Sequence, residues 1–119
     1  LKPVLELLFA DPGLVTRQLV QDVLNYKRLD GAQEALRAIA ASVFPEGRQA
    51  EDLVPRLGEL DAPILVLWGR DDRVIPVAHA EALVGRAQVE VLAGPGHVPH
   101  LEAASEVNGL VDRFLAAVD

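Results

Sequence analysis

Along the first half of the chain, apolar residues recur at the three- and four-residue spacing of helices. Leu14, Val15, Leu19, Val20, Val23, Leu24 and Tyr26 trace one face, which predicts a helix from Leu14 to about Leu29, ended by Asp30-Gly31. Ala35, Leu36, Ile39, Ala40 and Val43 trace a second over Ala32 to Phe44, stopped by Pro45 and Gly47. A helical turn or two is expected earlier, from Pro3 to Phe9, closed by Asp11-Pro12-Gly13. One more short helix is expected within Arg48 to Leu60, with Pro55 limiting its length. No strand is expected here.

Past residue 60 the period changes. Ile64-Leu65-Val66-Leu67-Trp68 is an unbroken apolar run between Pro63 and Gly69, too short for a typical helix and rich in β-formers, and it predicts a strand buried on both faces. A helix over Pro76 to Val84, a second strand at Val89-Glu90-Val91-Leu92 and a last helix over Ala103 to Val118 follow. Strand, helix, strand, helix is the order of a parallel pair joined by a right-handed crossover. The expected fold class is therefore α/β, with a helical segment at 1–60 and a β-α-β-α unit at 61–119. Two parallel strands are marginal in water by themselves. The strand at Ile64 is expected to find a further neighbour, from a preceding half of a larger domain or from a second copy of this chain.

Composition narrows the function classes. Half of the 119 residues are apolar, enough for a buried core. Eighteen acids against eleven bases give a net charge of −7, and the cations are scattered singly, which argues against nucleic acid and anionic membrane as partners. No apolar run approaches the ~20 residues needed to span a bilayer, and Leu1-Lys2-Pro3-Val4 does not read as a signal peptide. The absence of cysteine suits a reducing compartment, and a cytoplasmic location is expected.

The chemistry concentrates after the two strands. Gly69-Arg70-Asp71-Asp72 follows the first and Gly94-Pro95-Gly96-His97-Val98-Pro99-His100-Leu101-Glu102 follows the second. Catalytic groups of open α/β sheets lie at the carboxyl ends of strands, so adjacent strands would deliver Asp72 and His97 side by side. Asp72 would then orient His97 and stabilise its imidazolium, while His97 takes a proton from a nucleophile. Asp71 reads as a turn former or solvent-facing acid, His100 as a surface or helix-start residue, and His79 as exposed on its helix. Asp71, Asp72, His97 and His100 lack a defined metal-ligand geometry, and no metal or cofactor site is expected in the chain. The nucleophile is missing: Ser42 and Ser105 are the serines, and neither sits in a Gly-x-Ser-x-Gly turn.

On Pro63 to Pro76 and Gly94 to Glu102, the second half resembles the C-terminal part of an α/β-hydrolase-fold protein, and the first half is similar to the helical lid inserted before the last two strands. The resemblance implies Asp72 as triad acid and His97 as triad base. More narrowly, Leu8 to Pro12, Val23 to Gly31, Ile75 to Ala80 and Glu102 to Asn108 look like the hydrolase-type domain of dihydrolipoamide acetyltransferase components of acetoin dehydrogenase complexes. That resemblance implies acyl transfer between lipoyl groups and coenzyme A on a small acyl substrate. The lipoyl-bearing and peripheral-subunit-binding segments, the oxyanion-hole loop and the nucleophile of such proteins are not in this sequence. The expected function is thus the acid and histidine share of an acyltransferase or hydrolase, inactive by itself. The alternative is a non-catalytic assembly or partner-binding module.

Overall fold

The computed structural model describes residues 1–118. In chain order the first elements are α1 (Lys2–Glu6), α2 (Arg17–Lys27) and α3 (Ala32–Val43). They are followed by β1 (Leu65–Gly69), α4 (Ala78–Glu81), β2 (Gln88–Leu92), α5 (Pro99–Glu102) and α6 (Ala104–Val118). β1 and β2 pair in parallel, Leu65 opposite Gln88 through Gly69 opposite Leu92. The fold is that of an α/β protein with a two-stranded parallel sheet.

α4 packs on β2, and α5 and α6 pack on β1. α4 is shorter than the expected Pro76 to Val84 because the flanking bonds are tight i to i−3 turns: His79 N–H donates to the Pro76 carbonyl at 3.0 Å and Val84 N–H to that of Glu81 at 3.2 Å. The last helix, α6, starts within a residue of the expected Ala103, whose φ of −134° and ψ of 45° separate it from the short α5. The stretch expected as a short helix near Arg48 to Leu60 contains a 3₁₀ turn at Val54–Glu59, since Pro55 offers no N–H to an α-helical ladder.

The chain divides into two compact units. One joins Leu1–Val15 to the chain from Gly58 onward. Leu1–Val15 belongs with the sheet because its backbone is bonded there: Leu8 carbonyl accepts from His97 N–H at 2.9 Å, and Arg73 donates to the carbonyls of Glu6 and Phe9, both at 2.6 Å. These bonds are invisible to side-chain periodicity. The buried apolar residues of this unit are Leu5, Phe9, Val15, Ala80, Leu92 and Val107. Leu65 to Trp68 are only half-buried, unlike the expected strand covered on both faces, because β2 is the one strand beside β1 among the described residues.

The other unit, Thr16–Leu57, holds α2 and α3. α2 starts at Arg17 rather than Leu14 because Pro12–Leu14 is a 3₁₀ turn capped by Asp11, and Thr16 then caps α2 by accepting from Leu19 N–H at 3.1 Å. Gly31, with φ of 78°, lets the chain turn directly into α3. None of this unit's residues is fully buried. Among the described residues no helix is long and apolar enough to cross a membrane.

Candidate active site

Two loops meet at the carboxyl ends of β1 and β2. β1 ends at Gly69, and Arg70 N–H extends the ladder by donating to the Leu92 carbonyl at 2.9 Å. Asp71 N–H then reaches the Pro95 carbonyl at 3.2 Å, which fastens one loop to the other. Gly94, with φ of 104°, supplies the left-handed residue that turns the second loop back toward the first.

The first loop is organised around Asp72. Its Oδ1 accepts from the N–H groups of Val74 at 2.8 Å and Ile75 at 2.9 Å, a local turn that fixes the carboxylate plane. Trp68 Nε1 donates to the Ile75 carbonyl at 3.2 Å and braces the same turn from β1. The second oxygen, Oδ2, lies 2.9 Å from His97 Nδ1. The structure therefore brings together the two residues singled out from the sequence. Asp72 is nearly sealed, with its side chain 3% exposed, while the His97 side chain keeps 31% of its surface. No hydrogen bond among the described residues engages His97 Nε2.

Burial pushes the Asp72 carboxyl up, but the hydrogen bond from His97, those from Ile75 and Val74, and the His97 charge outweigh it and hold the group below its ordinary 3.8. A carboxyl lowered in the folded state stabilises the fold above its unfolded value, and that stabilisation is lost as pH falls through the folded value. The stability gap between wild type and Asp72→Asn is thus expected to be full near neutrality and to close as pH drops below 3.8. Urea unfolding of both proteins from pH 7 to pH 3 checks it; a gap that widens toward low pH contradicts the arrangement.

The other candidates take no part in the bond between Asp72 and His97. Asp71 is exposed, His79 is exposed on α4, and His100 is exposed on α5. Ser42 Oγ donates to the Ile39 carbonyl on α3 at 2.9 Å, and Ser105 is an exposed residue of α6. Among the described residues no group of three or more His, Cys, Asp or Glu side chains is arranged to hold a metal ion. A cavity of about 110 Å³ opens beside the pair, lined by Leu67, Trp68, Gly69, Asp72, His97 and Pro99.

Glu102 is a further residue of the site, one that motif and periodicity do not single out. Its Oε1 accepts from Ala10 N–H at 2.8 Å and Asp11 N–H at 3.3 Å, and its Oε2 from Gly96 N–H at 2.6 Å. A signal existed: a carboxylate six residues after a Gly-Pro-Gly turn is well placed to satisfy that turn's free N–H groups.

Residues 2–110 match the Alpha/beta hydrolase family. The chain belongs to that family. It is 50% identical over 115 residues to the dihydrolipoyllysine-residue acetyltransferase component of the acetoin cleaving system of Cupriavidus necator, covering 97% of this chain and 31% of that protein. It is 36% identical over 119 residues to a 2-hydroxy-6-oxo-6-phenylhexa-2,4-dienoate hydrolase of Burkholderia cepacia, covering 98% and 41%. Among solved structures, the meta-cleavage product hydrolase of Pseudomonas fluorescens superposes with a TM-score of 0.82 at 25% identity, covering 99% of this chain and 45% of that one. The chain thus spans less than half the length of these relatives. The α/β-hydrolase expectation and the likeness to acetoin-system acetyltransferases both hold.

Proposed function

We propose that the chain supplies the acid and histidine of an α/β-hydrolase-type acyl-transfer site whose nucleophile comes from polypeptide outside these 119 residues. The observation that carries this reading is the 2.9 Å contact of Asp72 Oδ2 with His97 Nδ1, on a ring whose Nε2 has no partner among the described residues. In that role Nε2 takes the proton as a nucleophile oxygen bonds to a thioester carbonyl, and returns it to the departing thiol when the C–S bond breaks. Asp72 stabilises the imidazolium between those steps. The acyl group then passes to a second thiol by the reverse sequence.

The 50% identity to an acetoin-system acetyltransferase, against 36% to a 2-hydroxy-6-oxo-6-phenylhexa-2,4-dienoate hydrolase, favours a small acyl substrate carried between a dihydrolipoyl thiol and coenzyme A. We place this activity in the cytoplasm, where a cysteine-free chain needs no disulfide. The partner in this reading is an N-terminal hydrolase half seated along the open edge of β1. Half-buried Leu65 to Trp68 support it, since each large side chain left wet forgoes roughly 1.5–3 kcal/mol. The same edge also favours the second reading, an assembly module that pairs with another copy of itself without catalysis.

Turnover separates the two. The chain alone is expected to show no transfer from an acyl thioester above buffer, for want of a placed nucleophile. A chimera in which it replaces the matching 31% of the Cupriavidus necator relative is expected to retain thioester transfer. An inactive but folded chimera supports the assembly module instead, and turnover by the chain alone overturns the proposed division of labour.

A further inference from the structure

We infer that Glu102 is a positioning residue for His97, acting as a carboxylate bridge between the histidine loop and the segment Leu8 to Asp11. The inference rests on the proposed acyl-transfer reading and deepens it. His97 is held at its backbone by one bond, N–H to the Leu8 carbonyl at 2.9 Å. That acceptor must itself be fixed if the ring is to meet Asp72.

Glu102 does this from the other side. One oxygen takes the N–H groups of Ala10 and Asp11, just beyond Leu8, and the other takes the N–H of Gly96, just before His97. A single side chain thereby ties together two segments more than eighty residues apart in sequence, on either side of the Leu8 to His97 bond. Three donors converge on two oxygens of one partly buried carboxylate, and charge-assisted bonds of this kind are about twice as strong as neutral ones. The fit is tight as well. A Cβ on Gly96 would lie 2.8 Å from Ala10 N and 3.1 Å from the Leu8 carbonyl oxygen, so the strap and the loop touch without slack.

The bridge also explains why both loops keep register. Arg73, next to Asp72, donates to the Glu6 and Phe9 carbonyls of the same strap. The strap is thus anchored to the acid loop through Arg73 and to the base loop through Glu102 and Leu8. Both members of the pair are referred to one stretch of backbone.

Glutamine at 102 keeps the volume but turns one of the two oxygens into an NH₂ group, so either Gly96 or the Ala10-Asp11 pair must face a donor instead of an acceptor. In the full chain, Glu102→Gln is expected to leave far-UV circular dichroism unchanged while the His97 ring ¹⁵N signals move toward the averaged values of a mixed-tautomer imidazole. In the chimera it is expected to lower kcat by about 10²-fold with KM unchanged, the cost of a misplacement of about 1 Å. Glu102→Ala is expected to go further in the same direction. A folded Glu102→Gln protein with wild-type ring signals and wild-type kcat overturns the inference. So does unfolding of both variants, which would make Glu102 a residue of stability rather than of position. Asp72→Asn is the reference: if it leaves kcat of the chimera intact, the acyl-transfer reading has failed, whereas loss with Asp72→Asn and none with Glu102→Gln fails the bridge alone.

Discussion

His97→Ala, made in the active chimera, is expected to lower kcat by about 10⁶-fold, because the nucleophile loses the group placed to take its proton. Asp72→Asn is expected to cost about 10⁴-fold. Asparagine can still accept the Val74 and Ile75 N–H groups through its oxygen, so the turn survives. Its NH₂ would then face His97 Nδ1 where Oδ2 lies at 2.9 Å, and would favour the tautomer that carries its proton on Nε2. That nitrogen could no longer act as a base. At 1.36 kcal/mol per tenfold, the losses correspond to about 8 and about 5.5 kcal/mol of transition-state stabilisation. Neither residue is asked to bind ground-state substrate, so kcat and kcat/KM are expected to fall together. Steady-state kinetics of thioester transfer decides the matter, and a loss under tenfold for His97→Ala would remove the pair from the chemistry.

The pair was legible in the sequence because each member follows a buried-type strand by a short glycine-marked turn, and parallel strands bring such turns side by side. Ile64 to Trp68 and Val89 to Leu92 announce themselves by apolar continuity, and the observed strands at Leu65–Gly69 and Gln88–Leu92 differ by a residue at their ends. Helix faces at Leu19, Val23 and Leu36, Ile39 were equally plain. What periodicity could not show was the place of Leu1–Val15. Its apolar spacing looks like that of any short helix, but its attachment to the sheet runs through the carbonyls of Glu6, Leu8 and Phe9, which every residue type possesses. Glu102 was overlooked for a related reason. Its partners Ala10 and Gly96 are backbone donors, and one of them lies 92 residues away. Half-burial of β1 has a different origin. The pattern encodes a strand meant to be covered, and among the described residues only β2 lies beside it.

Gly69→Ala is expected to destabilise the sheet unit by about 3 kcal/mol or more and to pull the acid and histidine loops apart. Gly69 is the last residue of β1, buried, and paired with Leu92. A Cβ there would run into the carbonyl oxygens of Gly96 and Pro95 and stand 2.8 Å from the Pro95 carbonyl carbon. All three are backbone atoms of the loop that carries His97, so no rotamer change can make room. The loop or the strand end must move. Overpacking that shifts backbone costs roughly 1–3 kcal/mol, and the bonds it strains, Arg70 N–H to Leu92 and Asp71 N–H to Pro95, are each worth about 0.5–1.5 kcal/mol. Against a typical total of ~5–15 kcal/mol, that is a large share of the stability. Gly58→Ala supplies the contrast, because a Cβ at Gly58 meets nothing within 4 Å and its effect should stay within about 0.5 kcal/mol. Urea unfolding of the two variants beside wild type checks both. A Gly69→Ala protein as stable as Gly58→Ala would mean that the two loops do not close on each other over Gly69, and the 2.9 Å contact between Asp72 and His97 would lose its structural support.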